Sequence, residues 1–150
     1  MRIRTDCVFC YAFRRRDTWE VLQLFRAPGR FMENTWAFVS GGVEPGETMH
    51  AAALRELREE TTLTPTAFFH GDHVKTYYLP VCDELFHAPT FAAIVDADAA
   101  VVLNDEHTDH RWVPIEDVAT LWTDDRVALQ TIERQILHDG PAKEFLRIPL

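Results

Sequence analysis

The chain is poor in the residues that staple or interrupt a fold: three cysteines, six glycines and eight prolines among 150 residues. An odd and small number of cysteines excludes a disulfide-built scaffold. Cys7 and Cys10 form a C-x-x-C, but no second pair stands at zinc-finger spacing. The surrounding CVFCYAF reads as buried strand, where two cysteines three apart face opposite ways, so both are read as core residues. No apolar run nears the roughly 20 residues that span a bilayer. The basic N-terminal stretch is broken by Asp6 and lacks a small-residue cleavage site, so it reads as a strand of a mature, cytoplasmic protein. Positive charge is scarce too: 15 Lys and Arg against 24 Asp and Glu leave a formal net charge of −9. That balance excludes a general nucleic-acid binder and a binder of acidic membranes. Phosphate substrates stay open, because a bound divalent cation reverses the sign of a site locally. With no repeat, low-complexity tract or Ser/Gly linker, residues 1–150 read as a single domain.

What is present is an ordinary globular balance, 47% hydrophobic and 26% charged, with enough apolar material for a core. Residues 5–13 and 19–26 look like two strands joined by the polar turn RRRDT. Residues 27–35, with Pro, Gly and Asn, read as a loop, and WAFVS as a short strand leading to Gly41 and Gly42. The sequence predicts a helix beginning at an N-cap Thr48, with Ala53, Leu54 and Leu57 on the side that docks onto a sheet. Two aromatic and β-branched stretches follow, TAFFHGDHVKTYYLP and ELFHAPTFAAIVD, with strand character. IEDVATLW then reads as a short helix, and DDRVALQTIERQILHD as a longer amphipathic one. Strands, helix, strands and helices in that order predict an α+β sandwich, not a doubly wound parallel sheet.

The unusual feature is RELREE at 55–60, with further acid at Glu44 and Glu47. At about 100° per residue, Glu56, Glu59 and Glu60 share roughly a 100° arc of the predicted helix, next to the unobtrusive Met49 and Ala52. Like charges at this spacing repel unless solvent or a cation screens them. Such an oxygen-rich patch is the ligand type that Mg²⁺ or Mn²⁺ prefers. Arg55, one turn before Glu59, can steady a carboxylate by a charge-assisted bond. Taken alone, RELREE reads first as a solvated face laced with Arg–Glu pairs, as charge runs usually are.

The longer stretch decides between them. Gly41, five residues, Glu47, seven residues, then Arg55-Glu56-Leu57-Arg58-Glu59-Glu60-Thr61-Thr62-Leu63 resembles the signature of the Nudix hydrolase family. Every specified position matches except Thr62, where the family usually has Gly. A β-branched residue is disfavoured in the left-handed conformation that such a Gly adopts, so the helix is expected to end differently, running on toward Pro65. The bacterial dihydroneopterin triphosphate pyrophosphohydrolases are similar here, with Thr at the same place. The loop at 27–35 is longer than theirs.

The resemblance implies an α/β/α sandwich with a mixed central sheet. It also implies a pyrophosphohydrolase acting on a nucleoside or pterin triphosphate, with dinucleotides such as ADP-ribose and a noncatalytic nucleotide-sensing module as alternatives. By the same match Glu56, Glu59 and Glu60 would hold Mg²⁺ or Mn²⁺, with the Gly41 carbonyl beside them. Glu47 and Arg55 would tie loop to helix. In VVLNDEHTDHRWVPIEDV, Glu106 is the candidate distal carboxylate, ligand or general base, with Asp105 as its near competitor. His107 and His110 read as structural. Arg26 is a candidate phosphate contact and Trp36 a candidate stacking residue. Tyr77, Tyr78, Phe86, Arg2 and Arg4 are weaker candidates for substrate contact. A homodimer is compatible with the resemblance.

Overall fold

The computed structural model describes all 150 residues, Met1–Leu150. The elements are β1 (Arg2–Arg4), β2 (Cys7–Arg15), β3 (Trp19–Arg26), β4 (Trp36–Ala37), β5 (Val39–Gly42), α1 (Met49–Thr61), β6 (Ala67–Leu79) and β7 (Glu84–Ile94). After them come β8 (His107–Pro114), α2 (Thr123–Ile132), α3 (Lys143–Leu146) and β9 (Arg147–Ile148). The sheet runs β4-β3-β2-β7-β6-β9, and β8, β5 and β1 extend the pairing along β3, β2 and β7. β7 pairs in parallel with both β1 and β2, and the remaining pairs are antiparallel. The sheet is therefore mixed, as expected. No helix is long and apolar enough to cross a membrane.

Alternation along β2 builds the two layers. Val8, Cys10 and Ala12 face one side, where Ala52, Ala53 and Leu57 of α1 pack with Leu24, Val39 and Phe91. Tyr11 and Phe13 face the other, against Ala128, Leu129, Ile132 and Ile136 from α2 and the wider turn of helix that continues it through Leu137. The expected sandwich is present. Cys7, Cys10 and Cys82 are all free thiols, and burial pushes Cys10 above the ordinary thiol range.

Several boundaries differ from the sequence reading. The WAFVS strand is broken at Phe38: β4 pairs with β3, whereas β5 crosses to β2, and Phe38 buries its ring against Tyr11. That switch of partners delivers Ser40, Gly41 and Gly42 beneath α1. The expected helix over IEDVATLW contracts to one tight turn, Ile115–Asp117, after which Val118 is extended. The expected extension of α1 toward Pro65 does not occur. Thr62 itself takes the left-handed conformation, φ 61°, and donates its N–H to the Arg58 carbonyl at 2.8 Å. Thr61 and Thr62 hydroxyls donate to the Leu57 and Thr61 carbonyls, at 2.5 and 2.6 Å. These local bonds, with the exposed position of Thr62, offset the penalty on its Cβ.

Candidate active site

Thr48 caps α1, its hydroxyl accepting from the Ala51 amide. From that start the three glutamates diverge. Glu56 and Glu60 turn in against β5, with Glu60 only 2% exposed, while Glu59 stays in solvent. Gly41 is what admits Glu56: a Cβ there would overlap the Glu56 carboxylate. Arg55 ties the parts together. Its guanidinium donates in a fork to Glu47 at 2.9 and 3.0 Å, to the Gly42 carbonyl at 2.8 Å and to Glu56 Oε1 at 2.7 Å. Glu59 Oε2 lies 3.4 Å from the same nitrogen. Glu47 also accepts from the Glu44 amide, and both bonds hold its carboxyl below the usual range.

Glu106 arrives from the irregular stretch before β8. Its Oε2 accepts from Asn104 Nδ2 at 2.8 Å, and its own amide donates to Asn104 Oδ1. It shares a cleft of about 230 Å³ with Glu60, Ser40, Arg26, Arg30 and His107. Asp105, the competitor, is exposed and pairs with Arg30 instead. Burial is the main cause that lifts Glu60 to about 9, and the Glu106 and Glu56 charges add to it; Arg26 and the Ser40 backbone pull the other way. Glu56 is raised for the same reason, against the pull of Arg55. His107 is buried in the cleft with Nδ1 unpartnered, and burial lowers its pKa. Arg26 is half-buried, donates to the Phe31 carbonyl and is likewise pushed down by burial.

The residues fit a divalent cation. Glu60 Oε2 is buried with no hydrogen-bond partner, and the carboxylates around it raise one another's proton affinity. A hard cation satisfies both conditions at once with an all-oxygen donor set. As they stand, no three acidic, histidine or cysteine side chains converge on one point, and Glu56 and Glu59 lie against Arg55.

Residues 3–134 match the profile of the NUDIX domain family. The chain belongs to that family. It is 30% identical over 144 residues to the nucleoside triphosphatase NudI of Enterobacter sp. (strain 638), spanning 91% of this chain and all of that one. The MutT protein from Methanosarcina mazei Go1 superposes with a TM-score of 0.73 at 23% identity, over 89% of this chain and 95% of that one. A C. elegans Ap4A hydrolase in a binary complex gives 0.71 at 22%, over 87% and 96%. The two structural likenesses speak to the fold. This is a Nudix hydrolase, of a family that generally uses divalent metals on small nucleotide substrates.

Trp36 walls a recess next to Arg26, with Arg111 stacked 4.0 Å from its ring centre. Tyr77 stacks on Phe86 and behind Trp122, and Tyr78 points to solvent. Arg2 and Arg4 are occupied by Glu84, and Arg4 also by Asp6. Sequence reasoning missed Asn104, Arg30, Ser40, Lys75 and Asp125. A lysine inside an aromatic strand is the one signal that was visible, since lysines are seldom fully buried.

Proposed function

We propose that this Nudix hydrolase cleaves a diphosphate linkage of a nucleoside triphosphate, releasing pyrophosphate and a nucleoside monophosphate, at the cleft between α1 and the Glu106 segment. The observation that carries the reading is the buried Glu60 Oε2, without a hydrogen-bond partner, in a cleft it shares with Glu106, Arg26 and Arg30. Glu56, Glu59, Glu60 and Glu106 are the proposed holders of Mg²⁺ or Mn²⁺, with the Gly41 carbonyl. When bound there, the cation offsets charge on the phosphates and lowers the pKa of an attacking water. For Glu59 to join, its carboxylate leaves the 3.4 Å contact with Arg55 and turns inward. Arg55 and Glu47 keep the loop and helix in register. Arg26, with a single hydrogen bond of its own, is placed to donate to a phosphate oxygen. Glu106, oriented by Asn104, is the proposed acceptor for the proton of the attacking water.

The NudI relative supports a nucleoside triphosphate as substrate. Only Thr62 points to a pterin triphosphate. A noncatalytic sensor would not need all the acidic positions that this chain keeps. The test is product release from the eight common nucleoside triphosphates, dihydroneopterin triphosphate, ADP-ribose and a dinucleoside polyphosphate, with Mg²⁺ and then with EDTA. The expected result is EDTA-sensitive pyrophosphate from at least one nucleoside triphosphate. Release of AMP from ADP-ribose alone would move the chain to the dinucleotide reading.

A further inference from the structure

Two arginines line the carboxylate cleft, and they are held very differently. Arg26 ends β3, is half-buried and donates to the Phe31 carbonyl at 3.2 Å. Arg30 stands in the loop between β3 and β4, at the outer rim of the cleft. Its side chain is 45% exposed, and its single ionic contact is Asp105 at 3.4 Å, whose own side chain is 89% exposed. The reaction proposed above gives Arg30 no part.

The loop that carries Arg30 is fixed. The Arg26 amide donates to the Thr35 carbonyl and the Asn34 amide to the Arg26 carbonyl, both at 3.0 Å. Within the loop, Glu33 Oε2 accepts from the Gly29 amide at 2.5 Å, and the Thr35 hydroxyl donates to the Met32 carbonyl at 2.6 Å. The Ala27 amide donates to the Glu106 carbonyl at 2.9 Å, which ties the loop to the segment bearing the distal carboxylate. With its backbone anchored this way, Arg30 changes partner by side-chain rotation alone, a fast motion for an exposed residue.

The strengths of the two possible partners differ. An ion pair between exposed side chains contributes little, because water screens it and both chains give up freedom to form it. A phosphate offers a guanidinium a two-pronged, charge-assisted bond. Asp105 precedes Glu106 in the chain, so a phosphate brought to Glu106 arrives beside this weakly held pair.

We propose that Arg30 is a specificity-determining residue that takes the outermost phosphate of the substrate, and that Asp105 is a latch that competes for it until the substrate arrives. The inference rests on the nucleotide reading of this cleft. Arg26, deeper and steadied by Phe31, meets the inner phosphates. Arg30, at the rim, is reached only by a chain that extends past Arg26. A triphosphate does so and a diphosphate stops short, so Arg30 adds affinity for the first alone.

The experiment measures kcat and KM for the nucleoside triphosphate that is turned over best with Mg²⁺, and Ki for its diphosphate as a competitor. The proteins are the wild type, Arg30→Ala, Asp105→Asn and the double variant, each shown to be folded by its melt. Both residues are exposed, so neither change opens the core. Arg30→Ala should raise KM for the triphosphate about tenfold or more with kcat retained, the scale of a lost hydrogen bond to a charged group. The diphosphate Ki should not move. Asp105→Asn should lower the triphosphate KM about two- to fivefold, the scale of an exposed ion pair. In the double variant that gain should vanish, because no guanidinium is left to release. A gain that survives there shows Asp105 acting only through its charge and overturns the latch. A triphosphate KM that Arg30→Ala leaves unchanged, or that rises in step with the diphosphate Ki, overturns the assignment of Arg30 and leaves the reaction standing. No turnover of any triphosphate overturns the reaction and the assignment together.

Discussion

Glu60 is the residue on which the chemistry and the stability meet. In the metal-free protein its carboxyl is held up to about 9, mainly by burial, against an unfolded value of 4.5. The folded state therefore binds a proton that the unfolded state has released across that interval. The stabilisation is fully present below about 4.5 and is lost as pH rises through about 9. Glu60→Gln removes this slope while keeping size and helix propensity. Thermal melts in EDTA should show the variant gaining on the wild type as pH rises from about 5 to about 9. A constant difference across that range would mean that Glu60 is not held protonated by its surroundings. At this scale the sequence was informative where spacing is local: Gly41, Glu47, Arg55 and Glu56 lie close together in the chain and interlock through Arg55 and the space at Gly41. It was silent on Asp125, which meets Lys75 and Tyr11 across 50 and 114 positions. No periodicity links residues that only the sheet brings together.

At the scale of elements, α1 and the loop before it carry the proposed site, and their ends decide its geometry. The left-handed Thr62 was misread because backbone preference was weighed without the hydroxyl bonds made by Thr61 and Thr62. Its Cβ still carries a cost of about 1 kcal/mol. Thr62→Gly should recover about that much, seen as a rise in Tm of about 3 °C. A fall in Tm would show that the Thr62 hydroxyl outweighs the strain. Arg55 acts at the other end, where one guanidinium spans Glu47, Gly42 and Glu56. A lysine keeps the charge but has no fork. Arg55→Lys should lower kcat/KM by about 10- to 100-fold, the usual effect of losing a group that orients ligands, with the fold intact by circular dichroism. Normal turnover in that variant would show that the loop does not need the fork. The strands were legible from alternation, but the break at Phe38 was not, since WAFVS looks the same whether it pairs with one strand or two.

For the whole molecule, mixed pairing about β7 puts α1 on one face and α2 on the other. One supplies carboxylates at the α1 face; the other supplies the aromatic recess near α2, and Arg26 on β3 belongs to both. A chain with a net charge of −9 can accept a polyphosphate there if a divalent cation stands between the two sets of negative charge. The order of strands and helices made this sandwich readable in advance, because each element is long enough to show its period. Where the recess lies was not readable, because it depends on which faces of β2, β4, β6 and α2 come together.

The central claim is that metal-dependent cleavage of a diphosphate takes place among Glu56, Glu60 and Glu106. The most direct test is the rate of pyrophosphate release from a nucleoside triphosphate with Mg²⁺, in the wild type and in Glu60→Gln, on protein shown to be folded by its melt. The expected result is EDTA-sensitive release in the wild type and a loss of about 100-fold or more in the variant. Near-normal, metal-dependent release from Glu60→Gln would place the chemistry elsewhere on the molecule.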